Sequence, residues 1–131
     1  MKPERLIELA KAAMDYAYAP YSGYKVGAAL LCGDGSVYTG CNIENAAYSP
    51  TNCAERTAFF KAVSEGKREF TAIAVCGGKD GVINGIFPPC GVCRQVMAEF
   101  CKPDFLIYMA GAEGTYRTRT LTQLLPEQFE L

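Results

Sequence analysis

The chain has 131 residues, half of them hydrophobic, with 13 Lys/Arg against 14 Asp/Glu and a net charge of −1. That length supports one domain, residues 1–131, which can bury roughly two thirds of its unfolded surface and needs no disulfide staples. The even balance of charge, without a Lys/Arg run, gives no sign of a phosphate-tracking nucleic-acid surface, and the absence of histidine excludes His-dependent triads and His-ligated metals.

Pro3 suits a first helical turn, and Leu6, Leu9, Ala10, Ala13 and Ala17 recur at helical spacing, so a helix is predicted from Pro3 to near Tyr18, ahead of Pro20. Val26 to Cys32 is apolar on both faces. Gly33-Asp34-Gly35 reads as a hairpin turn into a partner strand over Val37 to about Gly40. A strand apolar on both faces implies a sheet covered on both sides, which favours a layered α/β arrangement.

The segment Cys41 to Pro50 is polar but poor in glycine. Its Asn42, Glu44 and Asn45 either bind hydroxyl groups or cap local turns. A second helix is predicted from a cap at Asn52 to a stop before Gly66. Ala54, Ala58, Phe59, Ala62 and Val63 leave it apolar over most of its circumference, as for a helix buried centrally or under a partner subunit. Thr71 to Cys76 reads as a third strand and Gly77 to Gly85 as an exposed loop. A third helix covers Gly91 to Phe100 and a fourth strand Phe105 to Ala110. An edge strand follows over Tyr116 to Thr120, then a short helical turn capped by Thr122.

Seven cysteines is an odd number, and the first residues carry charges without an apolar signal core. The apolar runs are too short to cross a bilayer. These features predict a cytoplasmic protein in which clustered cysteines serve metal binding or catalysis. Cys53 precedes Ala54-Glu55, and Cys90 and Cys93 form a Cys-x-x-Cys pair. Three thiolates fall one short of zinc's tetrahedral set, and catalytic sites leave the fourth position open for water. Glu55 is the group to move that water's protons. Both cysteine sites sit where helices should begin, and helix N-termini favour thiolates. Cys53 and Glu55, two apart, would diverge along a helix side, so they share a site only if it lies off the helix end.

Three thiolates around Zn²⁺ total −1, which calls for compensating positive charge. Arg56 and Arg94 both neighbour the cysteines, and Arg56 is the favoured partner of the sulfurs. Cys41 is the principal rival as a fourth sulfur, which would close the site and make it a non-catalytic zinc module.

Cys-Ala-Glu followed by Pro-Cys-x-x-Cys resembles the zinc nucleoside and nucleobase deaminases. Tyr21-Ser22-x-Tyr24-x-Val26-Gly27-Ala28-Ala29, the run Gly40 to Tyr48, Pro89-Cys90-Gly91-Val92-Cys93-Arg94-Gln95 and Leu124-Leu125-Pro126 extend the resemblance to the short, three-cysteine cytidine deaminases over almost the whole chain. The resemblance implies a three-layer α/β/α sandwich with a five-stranded mixed sheet. It implies hydrolysis of cytidine and 2′-deoxycytidine in pyrimidine salvage, with one Zn²⁺ per subunit on Cys53, Cys90 and Cys93 and Glu55 as proton shuttle. It implies ribose binding by Asn42 and Glu44, a base contact from the Ala54 backbone, and stacking by Tyr24, where the family commonly has Phe. It also implies a homotetramer whose subunits share sites through Ala46, Tyr48 and Phe129. A deaminase of another aminonucleoside, or of bases in RNA or DNA, is the alternative enzyme. The Asn42-to-Asn45 stretch argues against the first and the near-neutral charge against the second.

Overall fold

The computed structural model describes residues 1–131. Helix α1 (Pro3–Met14) opens on Pro3 and buries Leu6, Ile7, Ala10, Ala13 and Met14. Strands β1 (Tyr24–Cys32) and β2 (Val37–Cys41) form the predicted hairpin, with Gly35 at φ +89° in its turn. Helix α2 (Ala54–Ser64), strand β3 (Phe70–Lys79), helix α3 (Gly91–Phe100), strands β4 (Leu106–Ala110) and β5 (Tyr116–Thr120), and the single turn α4 (Leu121–Leu124) follow.

The five strands lie in the order β2-β1-β3-β4-β5. β3 and β4 pair parallel and the other neighbours antiparallel, so the sheet is mixed, as the family resemblance implied. α1 covers one face with Leu6, Ile7, Ala10 and Met14 against Ala29, Ala72, Ala74, Cys76 and Ala110. The opposite face packs α2 and α3 through Phe59 and Met97 onto Ala28, Leu30, Ile73, Val75 and Ile107. The side chains of β1 and β3 alternate between these two cores, which is why both strands read as apolar throughout.

Glycine brings both helices close to the hairpin. A Cβ on Gly27 would overlap the Ala10 carbonyl oxygen of α1, and one on Gly40 would overlap the Ala54 carbonyl oxygen of α2. Phe59 then fixes α2 from below, with ring centroids 5.2 Å from Phe70, 6.3 Å from Phe100 and 6.1 Å from Phe105. These contacts set where the N-terminus of α2 emerges.

Several element limits differ from the expectation. α1 stops at Met14 because Tyr18 turns to pair with the 42–44 segment, donating its N–H to Asn42 O and accepting from Glu44 N. Cys53, not Asn52, is the N-cap of α2, because the Asn52 backbone is held by Ile43. β3 runs on through Gly77, Gly78 and Lys79, which pair with Val26, Lys25 and Tyr24. Thr120, not Thr122, caps the last turn in a reciprocal capping box with Gln123. α2 buries one face, while Phe60, Lys61 and Ser64 face outward.

Candidate active site

Cys53 and Cys90 are the N-caps of α2 and α3, both with extended backbone, so two positive helix ends meet at one place. Cys93, one turn into α3, points at the same place. The three Sγ atoms lie within 4.8 Å of one another, with Cys53 Sγ 3.8 Å from Cys90 Sγ and Cys90 Sγ 3.5 Å from Cys93 Sγ. Zinc–sulfur bonds of about 2.3 Å at tetrahedral angles need sulfurs about 3.8 Å apart. The donor set therefore fits one zinc ion with little movement.

Cys41 takes no part in this cluster. It pairs with Gly27 in the hairpin, on the α1 face of the sheet, and lines a separate apolar cavity with Leu9, Ala13 and Tyr16. The rival closed four-sulfur site has no fourth sulfur within reach.

The surroundings favour thiolate at Cys53, whereas the hydrogen bond to Cys53 and burial push the Cys93 thiol up. Arg56 Nη2 donates to Cys53 Sγ at 3.1 Å. The Cys53 thiol is lowered to about 5 by a hydrogen bond from Cys93 and then by the Arg56 guanidinium. Arg56 Nε is buried without a protein acceptor, so this cation is committed to the sulfurs. Arg94 goes elsewhere: its Nε donates to Pro89 O and its Nη1 to Leu124 O, each at 2.8 Å.

Glu55 occupies the first turn of α2 and is 3 % exposed. Burial raises its carboxyl to about 7, which suits a group that must accept and then return a proton near neutrality. Because Cys53 lies outside the helix proper, it and Glu55 line one cavity. That cavity measures ≈ 300 Å³ and also contains Tyr24, Asn42, Glu44, Ala54 and Cys90. Val26, Phe87 and Pro88 complete its wall; sequence reasoning did not single out Phe87, whose one signal is an aromatic immediately before Pro-Pro-Cys.

The polar end of the cavity is already organised by the backbone. Asn42 Oδ1 accepts from Val26 N at 2.9 Å and its Nδ2 donates to Tyr24 O at 2.7 Å, which leaves one amide hydrogen free. Glu44 accepts from the N–H groups of Tyr21 and Ser22 at 2.9 and 3.1 Å and from the Ser22 hydroxyl. The Tyr24 ring sits 6.4 Å from that of Phe87, tilted by 36°. Ala46, Tyr48 and Phe129 are not brought to this cavity within one chain. Tyr48 lies in a shallow depression beside Glu44 and Thr51, and Phe129 packs beside Gln95 at the far end.

The family model for the cytidine and deoxycytidylate deaminase zinc-binding region matches residues 1–109. The chain belongs to the cytidine deaminase family. It is 53 % identical to the cytidine deaminase of Sporosarcina psychrophila over 98 % of this chain and 92 % of that one. It is 51 % identical to the cytidine deaminase of Halalkalibacterium halodurans over 98 % and 95 %. The crystal structure of cytidine deaminase from Burkholderia pseudomallei superposes with a TM-score of 0.91 at 50 % identity, covering 98 % of this chain and all of that one. In this cytidine deaminase family member, the three-cysteine cluster and the zinc-binding region coincide.

Proposed function

We propose that the chain hydrolyses cytidine and 2′-deoxycytidine to uridine and 2′-deoxyuridine, releasing ammonia, as a single-domain enzyme of pyrimidine salvage. The carrying observation is the shared cavity: Cys53, Cys90 and one buried carboxylate, Glu55, line the same space, and the Cys93 sulfur clusters with the other two at its wall. Cys53, Cys90 and Cys93 hold one Zn²⁺, with Arg56 offsetting the thiolate charge. When bound, zinc lowers the pKa of a water molecule and so supplies a nucleophile at neutral pH.

The chain's own residues do the rest. Glu55 takes a proton from water and delivers it to N3 of the pyrimidine, which makes C4 electrophilic. After the water oxygen adds at C4, Glu55 carries the proton of the new C4 hydroxyl to the amino group, and the C4–N bond breaks as C4=O forms and ammonia leaves. One carboxylate acts as base and then as acid, so no histidine is required. The Ala54 backbone meets the base, Tyr24 flanks it, and Asn42 and Glu44 take the sugar hydroxyls with the hydrogen-bonding capacity left over from their backbone contacts.

The assembly proposed is a homotetramer with sites shared between subunits, working in the cytoplasm. No helix is long and apolar enough to cross a membrane. Phe129 and Tyr48 are 67 % and 76 % exposed, which supports their use by a neighbouring copy, as does Ala46 in the same loop as Tyr48. The decisive experiment incubates the protein with cytidine and measures ammonia and zinc on the same sample. Ammonia release with about one zinc per chain is expected; zinc-loaded protein that releases none overturns the reading.

A further inference from the structure

One wall of the cavity is a turn, Tyr21 to Tyr24, that carries the Tyr24 ring and gives Glu44 its hydrogen-bond donors. No motif accounts for what holds this turn from the other side. Lys79, the last residue of β3, pairs with Tyr24 in the sheet. Its Nζ donates to Ser22 O at 2.8 Å and stands 5.5 Å from the centre of the Tyr24 ring. The next residue, Asp80, donates its N–H to Gly23 O at 2.7 Å.

The turn itself is shaped to receive this side chain. Gly23 has φ +74°, and a Cβ there would lie 2.7 Å from Lys79 Nζ, so the space a side chain would need is taken by the ammonium. On the inner side, the Ser22 hydroxyl donates to Glu44 and accepts from Tyr24 N. Lys79 therefore grips the same residue, Ser22, that Glu44 grips from within. The cation also faces the half-exposed Tyr24 ring, which adds a modest attraction beyond the hydrogen bond.

We infer that Lys79 is a positioning residue that sets the sugar-end wall of the cavity by clamping the Ser22–Tyr24 turn against Glu44. This rests on the deaminase reading of the site. The zinc ligands and Glu55 lie on α2 and α3, which Lys79 does not touch, so its influence falls on substrate binding.

The test compares Lys79→Met and Lys79→Arg with the unaltered protein, each loaded with zinc. Amide hydrogen exchange at Tyr21 and Ser22 is read alongside cytidine kinetics. Lys79→Met is expected to speed exchange at both amides and to raise KM about three- to tenfold with kcat and zinc content unchanged. Lys79→Arg, which keeps a donor and a cation, is expected to restore both. Unchanged exchange in Lys79→Met, or a fall in kcat at constant KM, overturns the clamp. The exchange measurement needs no turnover, so it judges the clamp even if the unaltered protein proves not to deaminate cytidine.

Discussion

Arg56 Nη2 reaches Cys53 Sγ at 3.1 Å while Arg56 Nε is buried with no acceptor of its own. A half-buried guanidinium with one N–H lacking a partner is costly, and a neighbouring anionic cluster offsets that cost. Arg56→Ala is expected to leave the three sulfurs with uncompensated charge and to weaken zinc retention about 10- to 100-fold. Competition with a chromogenic chelator measures it, and unchanged zinc affinity would remove Arg56 from the site.

Glu55→Gln keeps the side chain's size and removes its ability to carry protons. It is expected to bind zinc normally and to lose about 10²- to 10⁴-fold in kcat. Metal analysis and ammonia release on the same preparation check both halves. Near-normal turnover would end the proton-shuttle assignment.

The proposed sharing of sites between subunits can be tested by complementation. Phe129→Ala subunits are expected to lose substrate affinity, and Glu55→Gln subunits to lose turnover. Co-refolded mixtures of the two should regain activity if each cavity draws Phe129 from a neighbour. Mixtures no more active than the separate variants would place Phe129 outside the site.

Gly27→Ala is expected to destabilise the protein by about 1–3 kcal/mol, because the new methyl meets the α1 backbone at Ala10 O and Met14 N, which cannot swing aside as a side chain can. Thermal unfolding measures it. A stability equal to that of the unaltered chain would show that α1 can lift off the hairpin at no cost.

At acid pH the turn of the β1–β2 hairpin supplies a separate signal. Asp34 is held well below its ordinary value of 3.8 by hydrogen bonds from Lys67 and Ser36. A carboxyl depressed in the folded state contributes stability that is present above pH 3.8 and lost as pH falls toward the folded value. Asp34→Asn is therefore expected to flatten the acid limb of stability against pH, less so at high salt. An acid limb unchanged by this substitution would show that the Lys67 pair contributes nothing.

Much of this arrangement was legible in the residues themselves. The order of helices and strands followed from apolar periodicity, and the metal cluster from three cysteines at two helix starts. The reading failed where tertiary pairing overrode local preference. Gly77 and Gly78 look like loop, yet both are buried strand residues because Tyr24 to Val26 supply their partners. Asn42 was legible as a polar group beside the site, but not that each end of its amide is tied to the β1 backbone, leaving one amide hydrogen. Arg94 neighbours a cysteine in sequence, but its guanidinium turns to the carbonyls of Pro89 and Leu124. Such partners are distant in the chain, and no spacing rule reveals them.

The bare backbone at Gly27 and Gly40 gives the hairpin almost no thickness, with one helix resting on each side of it. Ala10 of α1 and Ala54 of α2 thus meet strand backbone with no side chain between, at neighbouring positions of one hairpin. A side chain introduced at either glycine would push its helix off the sheet, and at Gly40 that helix is the one whose first turn carries Glu55.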